Sequence, residues 1–294
     1  MAPERLVVPA NGLSHTVLLW HPPQPLETPA ATRRLALLLH GFMDAAGTWE
    51  QVVPALTGAG FTVAAPHLRG FGDGPRVGLG GYYHFVDYIF DVADLVDALS
   101  GDAKVHVVGH SMGGTIASLY AGSFPERVAG LALLEGTGPL DSCFELAPVR
   151  MRRWIDDVRE QRGKPGKALG SREDALRRLI QNHRGVDRAV LERMLEHLVT
   201  EDEAGALSWK ADPLHRTLSP VPFYAGAYRE FARLVTCPVL SVDGGPQGYQ
   251  PPDEPERLAA FARLTKKSLP GAGHMMHWTQ PEAVAKLLVD FFST

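Results

Sequence analysis

The chain has 294 residues, of which 45% are hydrophobic and 21% charged, and its formal net charge is −4. This length and composition are typical of a globular protein with one large domain and room for an inserted subdomain. Nucleic-acid-binding proteins usually carry a strongly basic face, which a net negative charge does not suggest, so we expect no nucleic-acid partner. Arginines cluster between residues 150 and 193, which we interpret as solvated helix faces; the alternative is attraction of an anionic substrate.

We expect neither export nor insertion into a membrane. Residues 1–20 lack a basic region followed by a continuous apolar run, so no secretory signal is predicted. No apolar run approaches the roughly 18 residues of a membrane-spanning helix. The chain has two cysteines, Cys143 and Cys237, so a disulfide framework is not expected; a single disulfide bond between them is the alternative. The sequence therefore predicts a cytoplasmic protein and leaves its oligomeric state open.

Short apolar runs alternate with helical patterns in the first half of the chain, which predicts βα units and a mostly parallel sheet. The predicted elements in chain order are strand 17–20, loop 22–32, strand 35–39, helix 49–56, strand 61–65, helix 87–99, strand 105–108, helix 115–123 and strand 131–134. Thr48 and Gln51 are predicted to cap the start of the first of these helices.

The strand rhythm stops between residues 139 and 233, where apolar residues recur at helical spacing. We interpret this stretch as a helical cap inserted between core strands, since it is long for ordinary crossover helices. Strands resume at 239–242 and 265–269, and Thr279 and Glu282 are predicted to cap the last helix. The predicted division is core 1–138, cap 139–233 and core 234–294.

Residues 109–113 are Gly-His-Ser-Met-Gly and lie between a predicted strand and a predicted helix. A G-x-S-x-G sequence in this context is typical of a nucleophile elbow, a sharp turn that exposes a serine hydroxyl. Glycines two residues before and after Ser111 leave space where side chains would clash. The helix N-terminus favours negative charge beside the serine. Ser111 is the candidate nucleophile, and the alternative is an ordinary surface turn.

With this elbow the chain resembles the α/β-hydrolase family over nearly its whole length apart from the cap region. Further matching segments are 39–42 (Leu-His-Gly-Phe), 67–72 (His-Leu-Arg-Gly-Phe-Gly), 271–274 (Gly-Ala-Gly-His) and 211–214 (Ala-Asp-Pro-Leu), the last similar to serine hydrolase-like proteins. The resemblance implies the α/β-hydrolase fold, a mostly parallel central sheet flanked by helices with a helical cap insertion. It also implies a catalytic triad in the order serine, acid, histidine.

The resemblance assigns the general base to His274, in a glycine-rich loop after the last predicted strand. His277 is a competing candidate, and a loop histidine without a role is the plain alternative. The G-x-G-H pattern, followed by a proline and a glutamate that open a helix, favours His274.

The acid of the triad is less directly specified. The family usually places it in the loop after strand 239–242, where this chain has Gln247, and Asp243 comes too early. Some members place the acid after the preceding strand, which here ends at Glu135. A carboxylate after an apolar strand needs a partner, because burying a charge alone is costly. We predict Glu135 as the acid, with Asp243 as the alternative; Asp243 could instead bond to the turn that follows it.

The oxyanion hole is expected to use the backbone N–H groups of Met112, which follows the nucleophile, and of Phe42, in the loop after His40. His40 is interpreted as a structural residue of that loop. His67 departs from the family pattern, which usually has aspartate there, and this puts the usual contact that braces the loop in doubt.

Together these residues predict an enzyme that cleaves a carboxylic ester of a small or medium apolar substrate through an acyl-enzyme. The resemblance leaves thioesterase, lactonase, amidase, carbon–carbon bond hydrolase and cofactor-free perhydrolase activity open, as well as a non-catalytic ligand-binding role. Serine at the elbow argues against epoxide hydrolase and haloalkane dehalogenase chemistry, which use aspartate there. No metal or organic cofactor is expected.

Apolar side chains of the predicted cap are candidates for the walls of a substrate pocket, although helical core packing explains such stripes equally well. These candidates are Met151, Trp154, Ile155, Phe223, Tyr224 and Tyr228.

Overall fold

An eight-stranded sheet forms the centre of the molecule. The computed structural model describes residues 2–23, 34–163 and 169–293, so most of the predicted loop 22–32 lies outside the described residues. Across the sheet the strands are β1 (Glu4–Ala10), β2 (Leu13–Trp20), β4 (Phe61–Pro66), β3 (Arg34–Leu39), β5 (Val105–His110), β6 (Val128–Leu134), β9 (Val239–Asp243) and β10 (Leu264–Ser268). Only the β1–β2 and β2–β4 pairings are antiparallel among these described strands. The predicted mostly parallel sheet is confirmed.

Helices cover both faces of the sheet. They are α1 (Val53–Gly58), α2 (Phe85–Ser100), α3 (Met112–Ser123), α4 (Ala147–Arg162), α5 (Arg172–Asn182), α6 (Arg188–Leu198), α7 (Ala225–Leu234), α8 (Glu254–Leu258), α9 (Met276–Thr279) and α10 (Pro281–Phe292). One buried cluster joins the sheet to α2, α3 and α7, and a second joins its other face to α1 and α10. Because parallel strands are buried on both faces, their sequences are nearly continuous apolar runs.

The segment between β6 and β9 is mainly helical and also holds a two-stranded antiparallel ribbon, β7 (Val199–Glu201) and β8 (Leu207–Trp209). Helices α5 and α6 share a separate buried cluster that also includes Met275 and Trp278 of the second core segment. Helix α7 instead packs into the main core through Tyr228. We keep residues 139–233 as a proposed cap, with α7 as its buried link to the core.

The predicted helix 49–56 is divided. A 3-10 turn spans Ala46–Trp49 and α1 starts only at Val53. The predicted capping pair is wrong, because the Thr48 hydroxyl donates to Asp44 Oδ1 at 2.8 Å and to the carbonyl of Ala45 at 2.9 Å. Thr48 therefore fixes the loop before the turn.

The start of the last helix also differs from the prediction. The Thr279 hydroxyl donates to the carbonyl of Ala272 at 2.7 Å, and α10 begins two residues later at Pro281. Proline suits the first turn of a helix, where its missing N–H would have no partner. The pairing of Thr279 with Glu282 is therefore wrong, and Thr279 fastens the loop that carries His274.

Strand β1 was absent from the prediction. It forms the edge of the sheet and pairs with β2 through a turn at Asn11 and Gly12, both of which have positive φ. Its exposed face and Pro9 give it a weaker apolar pattern than the buried strands.

No helix in the described part of the chain is long and apolar enough to cross a membrane. Cys143 is exposed and Cys237 buried, and both are free thiols.

A buried ion pair fastens the loop after β4 to α2. Arg69 Nε donates to Asp91 Oδ2 at 2.6 Å, and the Asp91 side chain is fully buried. His15 of β2 lies 3.6 Å from the same carboxylate, and Asp87 lies 3.2 Å from the guanidinium. Removing one member of a buried pair leaves the other charge without compensation.

We expect Asp91→Ala to lower the free energy of unfolding by about 3 kcal/mol, because Arg69 loses its buried partner and keeps only the partly exposed Asp87. Asp97→Ala is the matched control, since Asp97 is 65% exposed and also pairs with an arginine, Arg127. Its cost should stay below about 1 kcal/mol. Urea denaturation measures both, and equal losses would contradict the assignment.

Candidate active site

Ser111 occupies a strained turn between β5 and α3. Its backbone has φ 51° and ψ −117°, a region that side-chain-bearing residues rarely adopt. A Cβ on Gly109 would collide with the backbone of Gly113, and one on Gly113 would collide with the carbonyl of Leu39. The predicted elbow therefore exists because neither neighbouring glycine carries a side chain.

The structure brings Ser111, His274 and Glu135 into one hydrogen-bonded chain. His274 Nε2 lies 3.0 Å from Ser111 Oγ, and His274 Nδ1 lies 2.7 Å from Glu135 Oε2. A carboxylate oxygen can only accept a hydrogen bond, so His274 Nδ1 carries the hydrogen. Nε2 is then free to accept a hydrogen bond from the Ser111 hydroxyl. The sequence predicts these three residues as nucleophile, base and acid, and the structure places them in that order along one chain of hydrogen bonds.

The Glu135 side chain is fully buried and receives further donors on both oxygens. Oε1 accepts from the N–H of Gly244 at 2.6 Å and from Gln250 Nε2 at 3.2 Å, and Oε2 accepts from the N–H of Tyr249 at 2.6 Å. These bonds compensate for the loss of water around the carboxylate. The loop that follows β9 therefore wraps around an acid supplied by β6.

Asp243 lies apart from the histidine. Its Oδ1 accepts from the N–H of Gly245 at 3.0 Å and from the Ser268 hydroxyl at 2.7 Å. It closes the turn after β9, as the alternative interpretation of this residue expected. Gln247 lies in the 3-10 turn Gly245–Gln247, in the loop whose N–H groups hold Glu135.

His277, the competing candidate for the base, is fully buried. Its Nε2 lies 3.1 Å from Asp44 Oδ2, and its ring lies 4.5 Å from that of Trp49. It does not line the cavity that reaches Ser111. Sequence reasoning gave Asp44 no role, and nothing in the spacing of the two residues indicates that they meet.

The two predicted oxyanion donors lie beside the nucleophile. Phe42 and Met112 line the same cavity as Ser111, and neither N–H donates a hydrogen bond to another described residue. The loop that carries Phe42 is braced by His40, whose Nδ1 lies 2.8 Å from the carbonyl of Gly41 and whose Nε2 accepts from the N–H of Leu68 at 3.1 Å. His40 is therefore in the structural position expected for it.

His67, where the family usually has aspartate, still braces a loop. The N–H of Ala46 donates to His67 Nδ1 at 3.4 Å. Burial lowers the pKa of His67 to about 3, so the ring stays neutral and can accept this bond. His67 thus joins the loop after β4 to the start of the 3-10 turn Ala46–Trp49.

A cavity of about 510 Å³ opens onto Ser111 and His274. Its aromatic walls are Phe42, Tyr82, Tyr83, Phe85, Tyr88 and Tyr249. The six aromatic and aliphatic residues proposed as walls (Met151, Trp154, Ile155, Phe223, Tyr224 and Tyr228) do not line it, so that expectation is wrong. Four of the six aromatic walls come instead from the end of the segment between β4 and α2 (Tyr82, Tyr83) and from the first turn of α2 (Phe85, Tyr88).

His215 adds an uncharged ring to this wall. It stacks between Phe71, at 3.9 Å between ring centroids, and Tyr83, at 4.1 Å. Burial lowers the pKa of His215 to about 4, so the imidazole is neutral at physiological pH. No lysine or arginine lines the cavity among the described residues. The cavity therefore offers aromatic surface and hydroxyl groups but no cation.

Asp44, His110 and His277 present potential metal-ligand atoms within 4.8 Å of one another. All three side chains are buried; His277 Nε2 bonds to Asp44 and His110 Nε2 to the backbone of His274, whereas Nδ1 of each histidine has no hydrogen-bond partner among the described residues.

Comparisons with known proteins agree with this architecture. A family model described as alpha/beta hydrolase fold matches residues 37–281. Epoxide hydrolase B of Mycobacterium tuberculosis is 35% identical over 97 residues, which are 33% of this chain and only 27% of that protein. Pyrethroid hydrolase of Sphingobium wenxiniae is 28% identical over 272 residues, covering 87% of this chain and 86% of that protein. The crystal structure of a hypothetical protein from Pseudomonas aeruginosa PAO1 superposes with a TM-score of 0.85 at 25% identity, covering 100% of both chains.

The strain at Ser111 can be measured through stability. Ser111→Gly should be more stable than Ser111→Ala by about 1 kcal/mol, because glycine adopts this backbone conformation without a Cβ clash. Both variants remove the hydroxyl, so alanine is the matched control for its lost hydrogen bond. Denaturant unfolding compares them, and equal stability would show that the turn is unstrained.

Proposed function

Because the chain belongs to the α/β-hydrolase fold family, we propose that it is a serine hydrolase that cleaves carboxylic esters through an acyl-enzyme. Ser111 is the proposed nucleophile, His274 the general base and Glu135 the acid that orients it. The observation that carries the proposal is the continuous chain from Ser111 Oγ through both ring nitrogens of His274 to Glu135 Oε2.

In the first step, Ser111 Oγ attacks the carbonyl carbon of the ester while its proton passes to His274 Nε2. The N–H groups of Phe42 and Met112 stabilise the oxyanion that forms. Collapse of this intermediate breaks the bond to the alcohol oxygen, which leaves with the proton held by His274. Water then attacks the acyl-enzyme, gives a proton to His274, and the second collapse releases the acid and returns the proton to Ser111.

Glu135 has two tasks in this mechanism. Its bond to Nδ1 selects the tautomer that leaves Nε2 unprotonated, and its negative charge stabilises the imidazolium that exists during each step. Because the carboxylate is held by backbone N–H groups from Gly244 and Tyr249, its position does not have to be organised when the reaction begins.

The lining of the cavity favours an uncharged substrate that carries a flat apolar group. Its aromatic rings offer stacking surface, and its volume of about 510 Å³ lies within the range usual for small-molecule sites. The alternative of an anionic substrate attracted by the arginines of segment 150–193 is less favoured. Arginines there pair with surface carboxylates, as Arg172 does with Glu196 and Arg188 with Glu192. The name of the pyrethroid hydrolase from Sphingobium wenxiniae, similar over most of this chain, agrees with an apolar substrate.

Epoxide hydrolysis, the activity in the name of another relative, is the less favoured alternative. As noted from the sequence, such enzymes of the family have aspartate at the elbow, where this chain has Ser111. A ligand-binding role without catalysis was supported by Gln247, which stands where the family usually has its acid. That support is lost if Glu135 is the acid that orients His274. Thioester, lactone, amide and carbon–carbon bond cleavage remain variants of the same proposed chemistry.

Turnover of 4-nitrophenyl acetate, butyrate and octanoate tests the triad. We expect Ser111→Ala and Glu135→Gln to lower kcat by about 10³-fold or more. Asp243→Asn is the matched control, because Asp243 is a carboxylate at the adjacent strand end without contact to His274, and it should stay within about threefold of wild type. If Asp243→Asn abolishes turnover and Glu135→Gln does not, the acid is wrongly assigned.

Substrate charge provides a separate test of the cavity. We expect kcat/KM for 4-nitrophenyl hemisuccinate to be about tenfold to a hundredfold below that for the butyrate ester, because its carboxylate would be buried without a cation. Ser219→Lys places a cation on the cavity wall and should bring kcat/KM for the hemisuccinate closer to that for the butyrate ester. Equal rates for the two esters in the wild type would contradict an uncharged substrate.

A further inference from the structure

Asp44 lies two residues beyond Phe42, in the loop that carries the proposed oxyanion donor. Its carboxylate is 1% exposed. Oδ1 accepts from the N–H of Ala45 and from the Thr48 hydroxyl, both at 2.8 Å, while Oδ2 lies 3.1 Å from His277 Nε2. Thus one buried carboxylate holds its own loop and reaches across to α9.

His277 lies three residues after the proposed base. Its ring packs against Trp49 at 4.5 Å and against His110 at 4.4 Å between centroids. The bond to Asp44 therefore ties the histidine loop to the oxyanion loop, which is distant in the sequence. Neither residue of this pair lines the cavity, so neither can contact substrate there.

His110, the residue before the nucleophile, completes the connection. Its Nε2 lies 2.8 Å from the backbone carbonyl of His274, and a carbonyl only accepts, so Nε2 carries the hydrogen. Burial, together with the neighbouring His277 and His274, lowers the pKa of His110 well below its ordinary value, which keeps the ring neutral.

Electrostatics favours an ionised Asp44 in this cluster. Burial alone would raise the pKa of Asp44, but the hydrogen bond from His277, the electrostatic interaction with the His277 and His40 rings and the N–H of Ala45 hold it below the ordinary value. A buried charge with three donors is costly to assemble and rigid once assembled.

We propose that Asp44, His277 and His110 form a positioning network that fixes the oxyanion loop, the elbow and the histidine loop relative to one another. The inference rests on the proposed serine hydrolase chemistry, since its effect acts through Phe42 and His274. The network touches no reacting atom. It holds the Phe42 N–H and the His274 ring at the separation that the tetrahedral intermediate requires, and a misplacement of about 1 Å in such geometry costs about a hundredfold in rate.

The test uses the full chain and counts active sites with a fluorophosphonate that labels Ser111. His277→Phe keeps the ring stacking but leaves Asp44 Oδ2 without its partner. We expect kcat per titrated site to fall about tenfold to a hundredfold with KM within about twofold. Affinity for an alkyl boronic acid, which forms a tetrahedral adduct with the serine, should fall in parallel. His277→Gln restores a donor to Asp44 and should recover part of both losses.

His15→Phe is the matched control. His15 is an equally buried histidine beside a buried carboxylate, Asp91, but it lies in β2, and neither His15 nor Asp91 lines the cavity. It should lower stability and leave kcat per titrated site unchanged. The proposal is overturned if His277→Phe keeps wild-type kcat and boronate affinity, or if His15→Phe loses as much.

Failure of the proposed function would look different. In that case the wild type itself would show no ester turnover that depends on Ser111. The rate of fluorophosphonate labelling at Ser111 then decides the network, because phosphonylation uses the same base and oxyanion donors. Slower labelling in His277→Phe than in both wild type and His15→Phe supports the network, and equal labelling rates overturn it.

Discussion

The site depends on the burial of one carboxylate at the end of a central strand. Glu135 follows β6 with φ 47°, and its own N–H donates to the carbonyl of Val242 in the neighbouring strand at 3.1 Å. A carboxylate in this position must find donors, because the surrounding strand ends are apolar. It finds them in the loop after β9 and in His274, so a requirement for hydrogen bonds determines where both loops lie. The N–H of Gly273 bonds to the carbonyl of Gly244 at 3.0 Å, which joins those two loops directly.

Local features of the sequence were sufficient for the elbow and most of the sheet. The elbow needs only a strand, a tight turn with two glycines and a helix, all within residues 105–123. Buried parallel strands carry apolar runs that are recognisable one at a time. The edge strand β1 was missed because half of its side chains face solvent, and the capping pairs failed because Thr48 and Thr279 bond to nearby loop atoms instead.

The rest of the site depends on contacts between distant parts of the chain. The aromatic wall around Tyr82 and Tyr88 spans the end of a loop and the start of α2, and no motif marks these residues as parts of a cavity. Asp44 and His277 are 233 positions apart, and only the folded sheet brings them to 3.1 Å. The sequence favours Glu135 over Asp243 as the partner of the histidine but leaves both open, because spacing along the chain does not show which strand end reaches His274.

The adjacency of β6 and β9 has a broader meaning for how such a site can vary. Neighbouring strands in a sheet lie about 4.8 Å apart, so the ends of these two strands are close neighbours. Leu134 pairs with Val242, which places Glu135 and Asp243 side by side at the same edge. Only Glu135 of this pair bonds to His274, whereas Asp243 bonds to Gly245 and Ser268. Which carboxylate meets the histidine is therefore set by its place in the folded sheet rather than by its distance from the histidine along the chain.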